Sequence, residues 1–132
     1  MGQQQLHLLV LGIILVGIAL VVGLDSFQNK AVESNRDAVI LDLNNLASFA
    51  QAHYKKTPTY GGGGYSFIGY DVPSQLKSTD NGTYNLISTQ NQKVIIEGIG
   101  KEKGGNLGCR QSRNITYRII VEPNRSTIQK IL

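Results

Sequence analysis

The chain has 132 residues, 41% of them hydrophobic and 17% charged, with a net charge of +4. That length suits one domain, and if the first 24 residues serve a membrane or a partner, about 100 remain to build a small core. The single cysteine, Cys109, excludes an intrachain disulfide and a cysteine-based metal site, so the fold must hold without a staple.

The sequence opens MGQQQLHLLVLGIILVGIALVVGLD, and its first charged side chain is Asp25. Residues 6–24 form a run of 19 interrupted only by His7 and the glycines 12, 17 and 23. As a helix this run spans roughly 28 Å, close to the thickness of a bilayer core. A cleavable secretory signal needs a basic start, a shorter apolar stretch and an Ala-x-Ala-like cut site, and none is visible. Myristoylation at Gly2 needs Ser or Thr at position 6, where Leu6 stands. A membrane-spanning helix fits both length and composition. His7 reads as a polar residue at the membrane boundary.

Beyond Leu24 neither proline nor a loop cluster intervenes. Val32, Val39, Leu43, Leu46, Ala50 and Tyr54 recur at steps of seven, four, three, four and four, which is one stripe at helical period. Ile40 and Leu41 lie off the stripe and widen the apolar surface. The pattern predicts one unbroken helix from about residue 3 to residue 55, ended by Pro58 and the glycines at 61–64. Only its second half can pack on the small domain that follows. The first half must be buried by lipid or by copies of itself. Within it, residues 17–23 are the weakest helix, because glycine costs about 1 kcal/mol and Ile and Val are mediocre formers.

Residues 56–82 are dense in Gly, Pro, Tyr, Ser and Asp and read as a connecting loop. The four glycines form no phosphate loop, since no Gly-Lys-Ser/Thr follows, and they read as a flexible corner. Tyr60, Tyr65, Phe67 and Tyr70 are expected to pack this loop onto the sheet. Two hairpins then follow, TYNLIST with KVIIEGI and NITYRIIVE with STIQKIL, separated by the Gly-rich loop GKEKGGNLGCRQSR. Alternation is clear at Ile115, Tyr117, Ile119 and Val121, and again at Ile128, Lys130 and Leu132. The expected fold class is α+β, with the long helix packed on a four-stranded antiparallel sheet. The domains are a hydrophobic helix over 1–24 and a globular part over 25–132, made of helix 25–55, connecting loop 56–82 and β-meander 83–132.

The charge is uneven. Residues 1–100 hold six Lys and Arg against seven Asp and Glu, whereas residues 101–132 hold seven against two. Arg110, Arg113, Arg118 and Arg125 therefore read either as a solvated basic face or as a contact for a polyanion, DNA or a surface glycan. Three Asn-x-Ser/Thr sequons, at Asn81, Asn114 and Asn124, exceed the one or so that chance gives, and Asn81 and Asn124 fall at expected turns. No His/Asp/Glu group has metal spacing and no nucleophile has a base beside it in sequence. The chain reads as non-enzymatic, with no cofactor.

A long helix, apolar over its first 24 or so residues and amphipathic over the next 30, followed by a small β domain, resembles a type IV pilin. The resemblance covers the whole architecture but rests on residue motifs only in 1–25. Mature pilins begin with Phe or Met and carry Glu at position 5. Here Met1 takes the first place, Gln5 stands where the Glu would be, and no leader with a basic-Gly cut site is visible. Gln5 cannot neutralise a neighbour's terminal amine, though its amide can hydrogen-bond to it. The resemblance implies a helical homopolymer that assembles through Met1, Gln5, Leu6, Leu9, Ile13, Val16 and Leu20. It implies residence in the cytoplasmic membrane beforehand, handling by the pilus assembly machinery, and then an extracellular filament on the cell surface. It also implies that the helix-weakening Gly12, Gly17 and Gly23 matter, since assembled pilins often lose helicity in this region, and that the connecting loop contacts other subunits. Two alternatives stand beside it: a minor pseudopilin of a secretion system, and a membrane-anchored monomeric binding module using the basic C-terminal face.

Overall fold

The computed structural model describes residues 2–104 and 113–131. One helix, α1, runs over Gly2–Lys55, as the uninterrupted pattern of the sequence requires. A short 3-10 turn over Pro58–Tyr60 follows, and then four strands: β1 over Gly82–Thr89, β2 over Val94–Gly104, β3 over Arg113–Glu122 and β4 over Arg125–Lys130. The chain divides into two units, Met1–Glu33 and Ser34–Leu132.

In the first unit the described residues leave the apolar start of the helix uncovered. Its apolar side chains from Leu6 to Leu24 are all exposed. His7 Nδ1 donates to the Gln3 carbonyl at 2.6 Å, and Lys30 Nζ pairs with Glu33 Oε2 at 3.0 Å. Both are contacts within about one helical turn.

In the second unit the strands lie in the order β1-β2-β3-β4, every neighbouring pair antiparallel. One face of this meander carries Tyr84, Val94, Ile96, Ile115, Tyr117, Ile119 and Val121, all buried. Against them lie Val39, Leu43, Leu46, Ala47, Ala50 and Tyr54 of α1. This is the expected stripe with two changes. Ala47 joins it, and Val32, the first member of the expected stripe, is half-buried rather than core, while Leu41, off the stripe, is 62% exposed. Gly98 of β2 sits beneath the helix, where a Cβ would come within 3.0 Å of the Tyr84 ring and 3.2 Å of Val39 Cγ1. Its bare backbone is what lets helix and sheet approach.

A polar node fastens the helix to the start of β1. Asp42 Oδ2 accepts from Tyr84 Oη at 2.7 Å, Asn81 Nδ2 at 3.0 Å and Thr79 Oγ1 at 3.2 Å. Asn35 Nδ2, about two turns before Asp42 on the helix, donates to the Asn81 carbonyl at 2.8 Å. Burial, reinforced by the carboxylate it donates to, holds the Tyr84 phenol well above the usual tyrosine range.

The connecting segment differs from expectation in two ways. The glycines at 61–64 form a hydrogen-bonded cap rather than a flexible corner. Gly63 N donates to His53 O at 2.8 Å, Gly64 N to Lys56 O at 3.0 Å and Tyr65 N to Tyr54 O at 2.8 Å, so the His53 and Tyr54 carbonyls orphaned at the helix end are satisfied. Gly61 takes the left-handed conformation at φ 75°, and Gly63 lies against the backbone of Ser66, leaving no room for a side chain. The four aromatics also divide. Phe67 and Tyr70 are buried, the first stacked on Tyr54 at 4.8 Å and the second donating to the Leu46 carbonyl, so they pack on the helix. Tyr60 and Tyr65 are 76% and 72% exposed.

Strand β2 runs further than KVIIEGI suggests. After an irregularity between Ile99 and Lys103 it pairs Gly104 with Arg113, so part of the Gly-rich stretch is strand.

Candidate functional site

The apolar half of α1 is the first candidate. Leu6, Leu9, Ile13, Val16 and Leu20, spaced three and four apart, share one side of the helix. They are 64%, 62%, 65%, 59% and 63% exposed, and Leu8, Leu11, Leu15 and Val22 on other sides are 69%, 53%, 59% and 59% exposed. A helix apolar on every side belongs in lipid or among other apolar helices. This one is long and apolar enough to cross a membrane. The weak stretch 17–23 is helical throughout.

The glycines here are not required by the chain itself. A Cβ at Gly12, Gly17 or Gly23 would meet nothing within 4 Å. Gln5 is exposed near the start of the helix. Met1 lies outside the described residues.

The basic residues do not form one face. Arg113 and Arg125 lie at the two ends of the β3–β4 hairpin, about 30 Å apart along ten residues of strand. Arg118 points from the middle of the sheet face turned away from the helix, and its guanidinium pairs with Glu97 Oε2 of β2 at 2.8 Å. Its charge is matched locally by that carboxylate. Arg110 lies outside the described residues.

The sequons also separate. Asn124 is exposed in the turn between β3 and β4, and Asn114 is exposed near the start of β3. Asn81 is half-buried and its amide nitrogen, the atom a glycan would need, donates to Asp42. The turn position that made Asn81 attractive in sequence turns its side chain toward the helix.

One grouping had no signal in the sequence. The β1–β2 and β3–β4 turns lie at the end of the domain where α1 finishes, joined to it by Tyr54 Oη donating to Gln92 Oε1 at 2.9 Å and Gln51 Nε2 donating to Glu122 O at 3.2 Å. This gathers Lys55, Lys56, Lys93 and Arg125, which are far apart in the chain. Among the described residues no group of three His, Cys, Asp or Glu side chains converges on a common point. The chain matches no protein-family model, no curated protein and no solved structure.

Proposed function

We propose that this protein is a structural subunit of a type IV pilin-like extracellular filament, held in the cytoplasmic membrane before assembly and polymerised through its N-terminal helix. One observation carries the reading. The helix that packs on the sheet of the small domain is continuous with a segment bearing fourteen exposed Leu, Ile and Val side chains, none of which the described residues cover. Such a segment is stable only in lipid or against other apolar helices. A membrane-anchored monomeric module would use the same span, but a span of that kind is ordinarily followed by a flexible linker. Here helix continues from one part to the other.

The exposed glycines support packing between copies. With nothing of the chain near them, their use lies in close approach by another helix, where small residues let backbones come together. The test is removal of residues 1–24. The shortened chain is expected to be a soluble monomer with the parent's β-sheet signature in circular dichroism. Fibres formed by that shortened chain would overturn the reading.

A further inference from the structure

The end of the domain where α1 finishes carries an uncommon combination of side chains. Lys55, Lys56 and Arg125 are exposed there and Lys93 is half-buried. None of the four has an acidic partner among the described residues, and the acid that shares this end is Glu122. Asp71, in the connecting segment, is already matched by Lys77 at 2.9 Å. Of the six tyrosines in the chain, Tyr54, Tyr70, Tyr84 and Tyr117 are buried, and the two exposed ones, Tyr60 and Tyr65, both lie in the cap at this end.

The position of Tyr65 is fixed. Its backbone has φ 66°, a conformation uncommon for a side-chain-bearing residue. It is held by Tyr65 N donating to Tyr54 O, by Gln92 Nε2 donating to Tyr65 O at 3.4 Å, and by an edge contact of its ring with Tyr54 at 5.8 Å. The Gln92 amide thus ties the β1–β2 turn, the cap and the helix end into one surface. An exposed aromatic ring held in place amid unpaired cations suits one ligand chemistry well. Unstacked bases lie on the rings while phosphates meet the cations.

We propose that this end of the domain binds single-stranded nucleic acid. A duplex keeps its base faces inside its own stack and gains nothing from the tyrosines. The opposite end of the sheet, with Lys101, Lys103 and Lys130 exposed but also Asp80 and Glu102, has no exposed tyrosine and serves as an internal control. The site is complete within one chain, so it stands whether or not the protein polymerises.

The test is fluorescence anisotropy of the full chain in neutral detergent with a labelled oligothymidylate of about 20 nucleotides. Four cations meeting phosphates give a log–log salt slope of about −3, so a fourfold rise in salt weakens binding about fiftyfold. Lys55→Gln with Lys56→Gln is expected to halve that slope. Tyr60→Ala and Tyr65→Ala are each expected to weaken binding about fivefold or more, with Tyr65→Phe retaining the parent affinity. Lys101→Gln with Lys103→Gln should leave binding unchanged. The proposal is overturned by absence of binding, by a matched duplex binding as tightly with no effect of the tyrosine changes, by loss of binding in the Lys101 and Lys103 pair instead, or by a sulfated glycan displacing the oligonucleotide at lower concentration than unlabelled oligonucleotide does.

Discussion

Replacing Gly17 with Asp separates membrane insertion from assembly. A Cβ at Gly17 meets nothing within 4 Å, so the chain's own fold offers no steric objection. The fourteen Leu, Ile and Val side chains between Leu6 and Leu24 are all exposed to whatever surrounds the helix. At about 0.3–0.6 kcal/mol each they favour insertion by roughly 4–8 kcal/mol. One aspartate near the middle of the span opposes this by about 2.5–3.5 kcal/mol. The balance still favours the membrane. A bundle of apolar helices is less forgiving, because the carboxylate is buried without a partner at a cost of several kcal/mol in every subunit. The Gly17→Asp chain is therefore expected to fractionate with membranes as the parent does while its filament yield, read by negative-stain microscopy of sheared surface material, falls at least tenfold. Gly17→Ala sharpens the result. It stabilises the helix by about 1 kcal/mol and clashes with nothing in the chain, so any loss of assembly it causes arises between chains. Parental filament yield from Gly17→Asp would refute a packed helical core at this level of the helix.

Three further outcomes follow from particular contacts. Gln5→Ala is expected to weaken assembly only mildly, since a neutral amide contributes about 1 kcal/mol net, whereas Gln5→Lys sets a cation beside a neighbour's terminal amine and should abolish it; equal yields from the two at matched expression would mean that position 5 meets no amine. Asp42→Ala strips the shared acceptor from Tyr84, Asn81 and Thr79, and a double-mutant cycle with Tyr84→Phe in urea unfolding should give a coupling of about 1.5–3 kcal/mol, a value near zero showing that the node does not fasten the helix. Burial, followed by the neighbouring Asp71, pushes the Tyr70 phenol up to about 12. Its folded value thus lies above the unfolded value near 10, so this contribution is complete below pH 10 and is lost as pH rises toward 12, about 2 kcal/mol in all. Tyr70→Phe should flatten the fall in thermal stability over that window, and an unchanged slope would show that Tyr70 is not its source.

The helix and the strands were legible in the sequence because they are written in local periodicity. Fourteen aliphatic residues without a charge, then a stripe at 39, 43, 46, 50 and 54, specify one helix, and the alternation through Ile115, Tyr117, Ile119 and Val121 specifies a strand with one buried face. The exposure of Leu6, Leu9, Ile13, Val16 and Leu20 also follows from the sequence, since a segment apolar on every side exceeds what a domain of this size can cover. What depended on contacts between distant residues was not legible. Composition suggested a flexible corner at 61–64, but hydrogen bonds to the carbonyls of His53, Tyr54 and Lys56 make it a cap. The arginines of the last quarter looked like one face, but strand register pairs Arg118 with Glu97 and sets Arg113 and Arg125 at opposite ends of a hairpin. Asn81 looked like an open turn, and its amide belongs to Asp42, 39 residues away. Lys55, Lys56, Lys93 and Arg125 share one end of the domain only because the β1–β2 and β3–β4 turns both lie where the helix finishes. Periodicity is set by each residue's nearest neighbours in the chain, whereas charge pairing and the gathering of a surface are set by which turns the sheet brings side by side.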